Sequence, residues 1–150
     1  MIPTCVNTVV VGAGQAGLAM SAHLRDHQID HVVLERDSIA ERWRNARWDS
    51  LVMNGPAWHD RFPARFFDSD PDGFPGKDEV TRYFEDFAKQ IEAPIHCGVE
   101  ITGTTALPQG GYQVETSQGH IHADHVVAAT GPFQIPVIPP IVPDLSLIHI

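Results

Sequence analysis

Three features of this 150-residue sequence predict an α/β fold built on a parallel sheet. The β-branched run Thr8-Val9-Val10-Val11 stops at a glycine, a helical stretch follows at once, and the apolar run His31-Val32-Val33-Leu34-Glu35 comes next. Short runs without polar alternation suit strands covered on both faces, as parallel strands are. The order strand, helix, strand provides one such cover. The length is about that of one ordinary domain, so a single core is expected.

The remaining elements follow in order. Ala16, Leu18, Ala19, Ala22 and Leu24 predict a helix from Ala16 to about Gln28. Ser38 with Glu41 three residues later has the spacing of a capping box, which predicts a short helix from Ile39 to about Asn45. Residues 46–77 carry Gly55, Pro56, Pro63, Pro71, Gly73, Pro75 and Gly76, a density of breakers that predicts a long irregular connection. Such loops are often functional. Asp78 is expected to cap a helix whose apolar face is Val80, Tyr83, Phe84, Phe87, Ala88 and Ile91, with Pro94 beyond its end. A strand over Gly98 to Ile101 comes next. An inserted hairpin then pairs Tyr112-Gln113-Val114-Glu115-Thr116 with His120-Ile121-His122 across Ser117-Gln118-Gly119. The run His125-Val126-Val127-Ala128-Ala129 reads as a returning buried strand that stops at Thr130-Gly131. Prolines 132, 136, 139, 140 and 143 forbid regular structure after it. Leu145-Ser146-Leu147-Ile148-His149-Ile150 resembles the translation of a sequencing-library adapter, so residues 1–144 are expected to form the domain and 145–150 a scar.

Composition narrows the function. The sequence is 43% hydrophobic and 19% charged, and no apolar run approaches the roughly 18 residues of a membrane span. A net charge of −9 disfavours nucleic acid and anionic membrane as partners and leaves a small-molecule substrate. Cys5 and Cys97 form no Cys-x-x-Cys, which excludes the signature of a dithiol centre or zinc ribbon and fits a reducing cytoplasm. Both cysteines, with Tyr83, Phe84 and Phe87, are expected to pack in the core. His120 and His122 share one face of a strand, but with no third ligand in reach of sequence no metal is expected.

The chemistry-bearing motif is Gly12-x-Gly14-x-x-Gly17 between the first strand and the first helix. Its first glycine makes the tight turn, its second lets backbone approach a pyrophosphate, and its third permits close helix packing. Amides at Gln15 and Ala16 would then face phosphate oxygens at the positive end of the helix dipole. Glu35 ends the second strand 18 residues beyond Gly17, and as an acceptor-only carboxylate it suits the paired hydroxyls of an adenosine ribose. It would repel a 2′-phosphate, but NAD and FAD share that ribose, so Glu35 does not separate them.

Later segments carry a resemblance. Arg42-Trp43-Arg44, Arg47-Trp48-Asp49-Ser50-Leu51, Met53-Asn54-Gly55-Pro56, Phe74-Pro75-Gly76-Lys77-Asp78-Glu79-Val80 with Tyr83 and Phe84, and the closing Val126-Val127-Ala128-Ala129-Thr130-Gly131 are similar to segments of flavin-containing and Baeyer-Villiger-type monooxygenases. The likeness covers nearly all of residues 6 to 143, and includes the bacterial flavoproteins labelled cation-transport-associated. It implies a Rossmann-like FAD-binding domain with an inserted hairpin or meander. It also implies oxygenation of a small organic substrate through a flavin C4a-hydroperoxide, with hydride from NADPH. By the same resemblance Gly12, Gly14, Gln15, Ala16 and Gly17 would hold the pyrophosphate, Glu35 the ribose, and Val99 the adenine through its backbone. Trp43 would border the flavin, Arg36 and the neighbouring arginines would contact the cofactor or form an ordinary helix face, and Thr130 and Gly131 would approach it. Asn54 is the catalytic candidate, because its amide would lie by the flavin ring. Its plainer alternative is to shape the Asn-Gly-Pro turn.

Two departures stand out. Ala40 replaces a glycine common in that family, and neither a second Gly-x-Gly-x-x-Gly nor a Phe-x-Gly-x-x-x-His follows Gly131. The NADPH site is therefore expected in a missing C-terminal part, and this chain is expected to bind FAD without turnover. A stand-alone nucleotide-binding or redox-sensing module is the alternative, and another FAD-dependent oxidoreductase of the amine or disulfide type is a further one.

Overall fold

A computed structural model describes residues 1–131. The proline-rich segment and the apolar tail lie outside the described residues. The elements are β1 (Cys5–Val11), α1 (Gln15–Asp26), β2 (His31–Glu35), α2 (Glu41–Arg44), α3 (Lys77–Gln90), β3 (Ile95–Cys97), β4 (Ile101–Ala106), β5 (Tyr112–Thr116) and β6 (Gly119–Ala128).

The six strands form one sheet in the order β3-β2-β1-β6-β5-β4. Pairings β1 with β2, β1 with β6, and β2 with β3 are parallel, while β4, β5 and β6 form an antiparallel meander on one side. Val9 and Val10 are both 0% exposed, so β1 is buried on both faces, as its unbroken apolar run predicts. Val9, Val32 and Leu34 face Val99, Val114 and Ile121 on one side, and Val10 and Val33 meet Met20 and Leu24 of α1 on the other.

Helix α3 presents Val80, Tyr83, Phe84 and Phe87 to a second core that includes Leu18 of α1 and Phe62 and Phe67 of the long connection. Phe62 stacks on Phe87 with ring centroids 4.1 Å apart, and Phe67 on Tyr83 at 3.8 Å. The Tyr83 hydroxyl accepts from the Phe62 amide at 2.7 Å and donates to the Arg65 carbonyl at 2.8 Å. Aromatic packing and these two bonds tie an irregular loop to a helix. Burial pushes the Tyr83 phenol up from its ordinary value. The folded chain therefore holds that proton more tightly than the unfolded one, and stability falls as pH rises above the ordinary phenol range. Tyr83→Phe is expected to lower stability by about 1–3 kcal/mol at neutral pH by leaving the Phe62 amide unpaired. It should also remove the alkaline loss, which denaturant titrations at the two pH values would show.

The structure corrects several sequence expectations. The Ser38–Glu41 capping box does not form, because Ala40 takes a left-handed conformation (φ 57°) and is itself the N-cap of α2, with no side-chain cap bond. Ser38 is then too far back to reach the first-turn amides, and only its carbonyl accepts from Glu41 N–H. This conformation explains why a glycine suits position 40. Ala40→Gly is expected to change stability by less than about 1 kcal/mol, because relief of the left-handed penalty is offset by the added freedom of the unfolded state and by loss of the buried Ala40 methyl; a denaturant midpoint would measure it. Asp78 is not a cap either, since Gly76 is the N-cap of α3 and Asp78 lies within its first turn, where its charge favours the helix dipole.

Of the strand expected over Gly98 to Ile101, residues 98–100 are a break between β3 and β4, set at Gly98 by φ +72°, and Ile101 opens β4. The hairpin's second strand and the returning strand are one continuous β6. Cys5 and Cys97 are exposed, not in the core, because one opens β1 and the other ends the edge strand β3. Among the described residues no helix is long and apolar enough to cross a membrane.

Candidate cofactor site

The turn between β1 and α1 is locked from two sides. Gly12 N–H donates to the Leu34 carbonyl of β2 at 2.8 Å, and its φ of +105° is one that L residues rarely adopt. A Cβ at Gly12 would lie 2.7 Å from the Ala129 carbonyl oxygen, and one at Gly17 only 1.9 Å from the Gly12 carbonyl oxygen. Helix α1 therefore sits directly on the turn. Gly14 differs from both, because a Cβ there would meet nothing within 4 Å. Packing does not require glycine at this position, and the open space beside it is the cradle a ligand backbone contact needs.

Helix α1 begins at Gln15 with no side-chain cap and no acidic residue in its first turn. The first-turn amides have no intrahelical acceptor, and no side chain of that turn offsets the positive dipole end. An anion meets both needs. Across the opening, the Glu35 carboxylate is held by two amides. Ala13 N–H donates to Oε2 at 2.9 Å and Asp37 N–H to Oε1 at 3.0 Å. Each oxygen keeps acceptor capacity for a further donor such as a sugar hydroxyl.

These groups open onto one cavity of about 810 Å³, within the roughly 300–1,000 Å³ of small-molecule and cofactor sites. Gly12, Gly14, Gln15 and Ala16 line one wall, and Glu35, Arg36 and Val99 another. Thr130 and Gly131, past the end of β6, and Trp43 and Asn54 complete it. Gly17 is the one predicted binding residue that does not line the cavity, since it lies beneath the turn as a packing residue. Val99 N–H donates to the Glu35 carbonyl at 3.0 Å, so its carbonyl is the backbone group left to offer a base.

Trp43 is half-buried on α2, with the Arg47 guanidinium 5.9 Å from its ring centroid. Arg44 of α2 donates to Glu85 of α3 at 2.6 Å, which fixes the short helix beside the cavity. Arg36, Arg42 and Arg47 share the lining with Glu35, Asp37, Glu41 and Glu100, so the charge there is mixed. Asn54 is exposed and its carboxamide has no hydrogen bond among the described residues. Phe84, expected in the core from sequence and buried there, also lines the cavity, while Asp60, whose carboxylate accepts from the Gly55 amide at 2.9 Å, is not singled out by the sequence. No spacing signal marks a carboxylate that bonds back into a turn five residues earlier. His120 and His122 stand away from the cavity with rings 5.6 Å apart, and no three ligand-type side chains group for a metal among the described residues.

A parallel β-α-β core, an inserted meander and a glycine turn facing a strand-end glutamate define a Rossmann-like dinucleotide-binding fold. Residues 9–146 match the family described as pyridine nucleotide-disulphide oxidoreductase, and the chain belongs to that family. A Geobacillus kaustophilus protein named uncharacterized oxidoreductase CzcO-like is 41% identical over 142 residues, 94% of this chain and 40% of its own length. Indole-3-pyruvate monooxygenase YUCCA6 of Arabidopsis thaliana is 32% identical over 143 residues, 90% of this chain and 34% of its own length. The solved flavin-containing monooxygenase from Stenotrophomonas maltophilia has the same fold, with a TM-score of 0.77 at 24% identity over 86% of this chain and 39% of that one. The chain thus spans 40% or less of the length of these relatives.

Proposed function

We propose that this chain is the FAD-binding portion of an NADPH-dependent flavoprotein monooxygenase that oxygenates a small organic substrate. The observation that carries the reading is a single cavity joining three things: an uncapped helix N-terminus with open space at Gly14, the fixed Glu35 carboxylate, and the Trp43 and Asn54 side chains. A mononucleotide would use only the first two.

The amides of Gln15 and Ala16 would hold the pyrophosphate, Glu35 the ribose hydroxyls, and the Val99 carbonyl the adenine amine. A flavin bound here supplies hydride acceptance and activation of dioxygen. Asn54 would hold a hydrogen bond at the reacting end, since its carboxamide can donate through Nδ2 and accept through Oδ1. Trp43 would shield that end from water. Hydride transfer would also need a nicotinamide held against the flavin, and the relatives are more than twice as long as this chain.

The family also includes disulphide chemistry by name, but Cys5 and Cys97, the chain's two cysteines, stand on β1 and β3 with β2 between them. That placement offers no dithiol pair. The test is to incubate the purified chain with FAD, remove free ligand, record the visible spectrum, and identify what denaturation releases. A yellow protein with an equimolar complement of FAD is the expected result. A folded, colourless protein would overturn the flavin reading and put a nucleotide-binding or redox-sensing module in its place.

A further inference from the structure

We propose that Asp60 is a positioning residue for Asn54, its carboxylate fixing the turn that presents the Asn54 carboxamide to the cavity. The inference rests on the role proposed for Asn54. The chain entering the turn is held by Met53 N–H donating to the Pro75 carbonyl at 2.9 Å, and the chain leaving it by Ala57 N–H donating to the Gly73 carbonyl at 2.9 Å. Between them Pro56 has no N–H, Asn54 makes no side-chain bond, and the Gly55 amide is held by Asp60 Oδ2 at 2.9 Å.

Packing reinforces that bond. A Cβ at Gly55 would lie 2.6 to 2.7 Å from all three carboxyl atoms of Asp60, so the carboxylate rests directly on the Gly55 backbone. Its second oxygen lies 2.6 Å from His59 Nδ1, and because a carboxylate only accepts, that nitrogen donates. With both oxygens engaged, the carboxylate has little freedom to turn away. Two residues on, Phe62 is stacked on Phe87 and hydrogen-bonded to Tyr83, which anchors Asp60 to α3. A rigid path therefore runs from the α3 core through Asp60 to the turn, and it leaves the Asn54 side chain unneeded for the turn itself.

Two readouts on the full chain test this. Amide hydrogen exchange at Gly55 needs no cofactor, and Asp60→Ala is expected to speed it roughly tenfold or more, as for loss of a charge-assisted bond. Asp60→Asn, which keeps an acceptor oxygen, should restore most of the protection. Gly55→Ala, which pushes the carboxylate away without altering Asp60, should reproduce the loss if Asp60→Ala does not fold. With FAD bound, Asp60→Ala should shift the visible spectrum as Asn54→Ala does, and the double variant should shift no further. Unchanged Gly55 exchange in both folded variants would overturn the clamp. Fully additive spectral shifts would overturn its action through Asn54. Failure of every variant and the parent to take up FAD would sink the cofactor reading, and with it Asn54's role, while the exchange result still decides the clamp.

Discussion

Gly17→Ala is expected to disrupt the N-terminal β-α-β unit. The added methyl would lie 1.9 Å from the Gly12 carbonyl oxygen. That neighbour is backbone, itself held by the Gly12 amide bond to Leu34 and pressed against Ala129, so it cannot swing aside as a side-chain tip would. Helix α1 must move off the sheet instead, taking Leu18 out of the core it shares with α3 and Met20 and Leu24 away from Val10 and Val33. Overpacking typically costs about 1–3 kcal/mol and more where backbone must shift, against a total stability of about 5–15 kcal/mol for an ordinary domain. Thermal unfolding followed by circular dichroism should show a large drop in midpoint or no cooperative transition. A wild-type midpoint would contradict the packing at this turn.

Glu35→Ala is expected to have the second largest effect, and it acts on stability and on binding together. The carboxylate accepts from Ala13, which is 0% exposed, and from Asp37. Removing it leaves a buried amide unpaired, at a cost of about 1–3 kcal/mol. It also removes the acceptor proposed for the ribose, so FAD affinity should fall by roughly tenfold or more, the worth of a charge-assisted hydrogen bond. Glu35→Gln keeps one carbonyl oxygen for the Ala13 amide and should recover more stability than affinity. A calorimetric FAD titration beside a denaturant curve separates the two effects. Loss of stability with undiminished affinity would leave Glu35 a structural residue only.

Much of the fold was legible because its strongest signals are local. The valine run of β1, the helix pattern of α3 and the glycine spacing each reflect a constraint that a few neighbouring residues satisfy by themselves. β2 is legible with its observed bounds, since turns flank a run buried on both faces. Elements set by distant partners were less legible. β3 is three residues that pair with β2 along one edge, and no composition marks so short an edge strand. β6 reads as two pieces because Gly119 to Ile121 pair with β5 alone, His122 and Ala123 pair with both β5 and β1, and the remainder pairs with β1 through the buried Val9 and Val10 register. The Ser38–Glu41 spacing misled because the left-handed Ala40 reverses the chain just where the cap would form.

The candidate site divides in the same way. Its glycine turn and Glu35 are close in sequence and carry their geometry with them. Asn54, Trp43 and Val99 carry no local signal beyond the family resemblance of their segments, and the structure brings them to the same cavity. Asp60 escaped because its partner is the amide of Gly55, and a side chain bonding to backbone leaves no trace in residue spacing.

If the space beside Gly14 receives the cofactor's pyrophosphate, as proposed, a side chain placed there should block binding without unfolding the chain, and Gly14→Val supplies one. A Cβ there meets nothing within 4 Å, and φ at this residue is −88°, so the substitution is compatible with the fold. Wild type and variant would be titrated with FAD, with circular dichroism confirming that both are folded. The expected result is saturable binding by the wild type and none by a folded Gly14→Val. A folded variant that binds FAD as the wild type does would place the cofactor elsewhere.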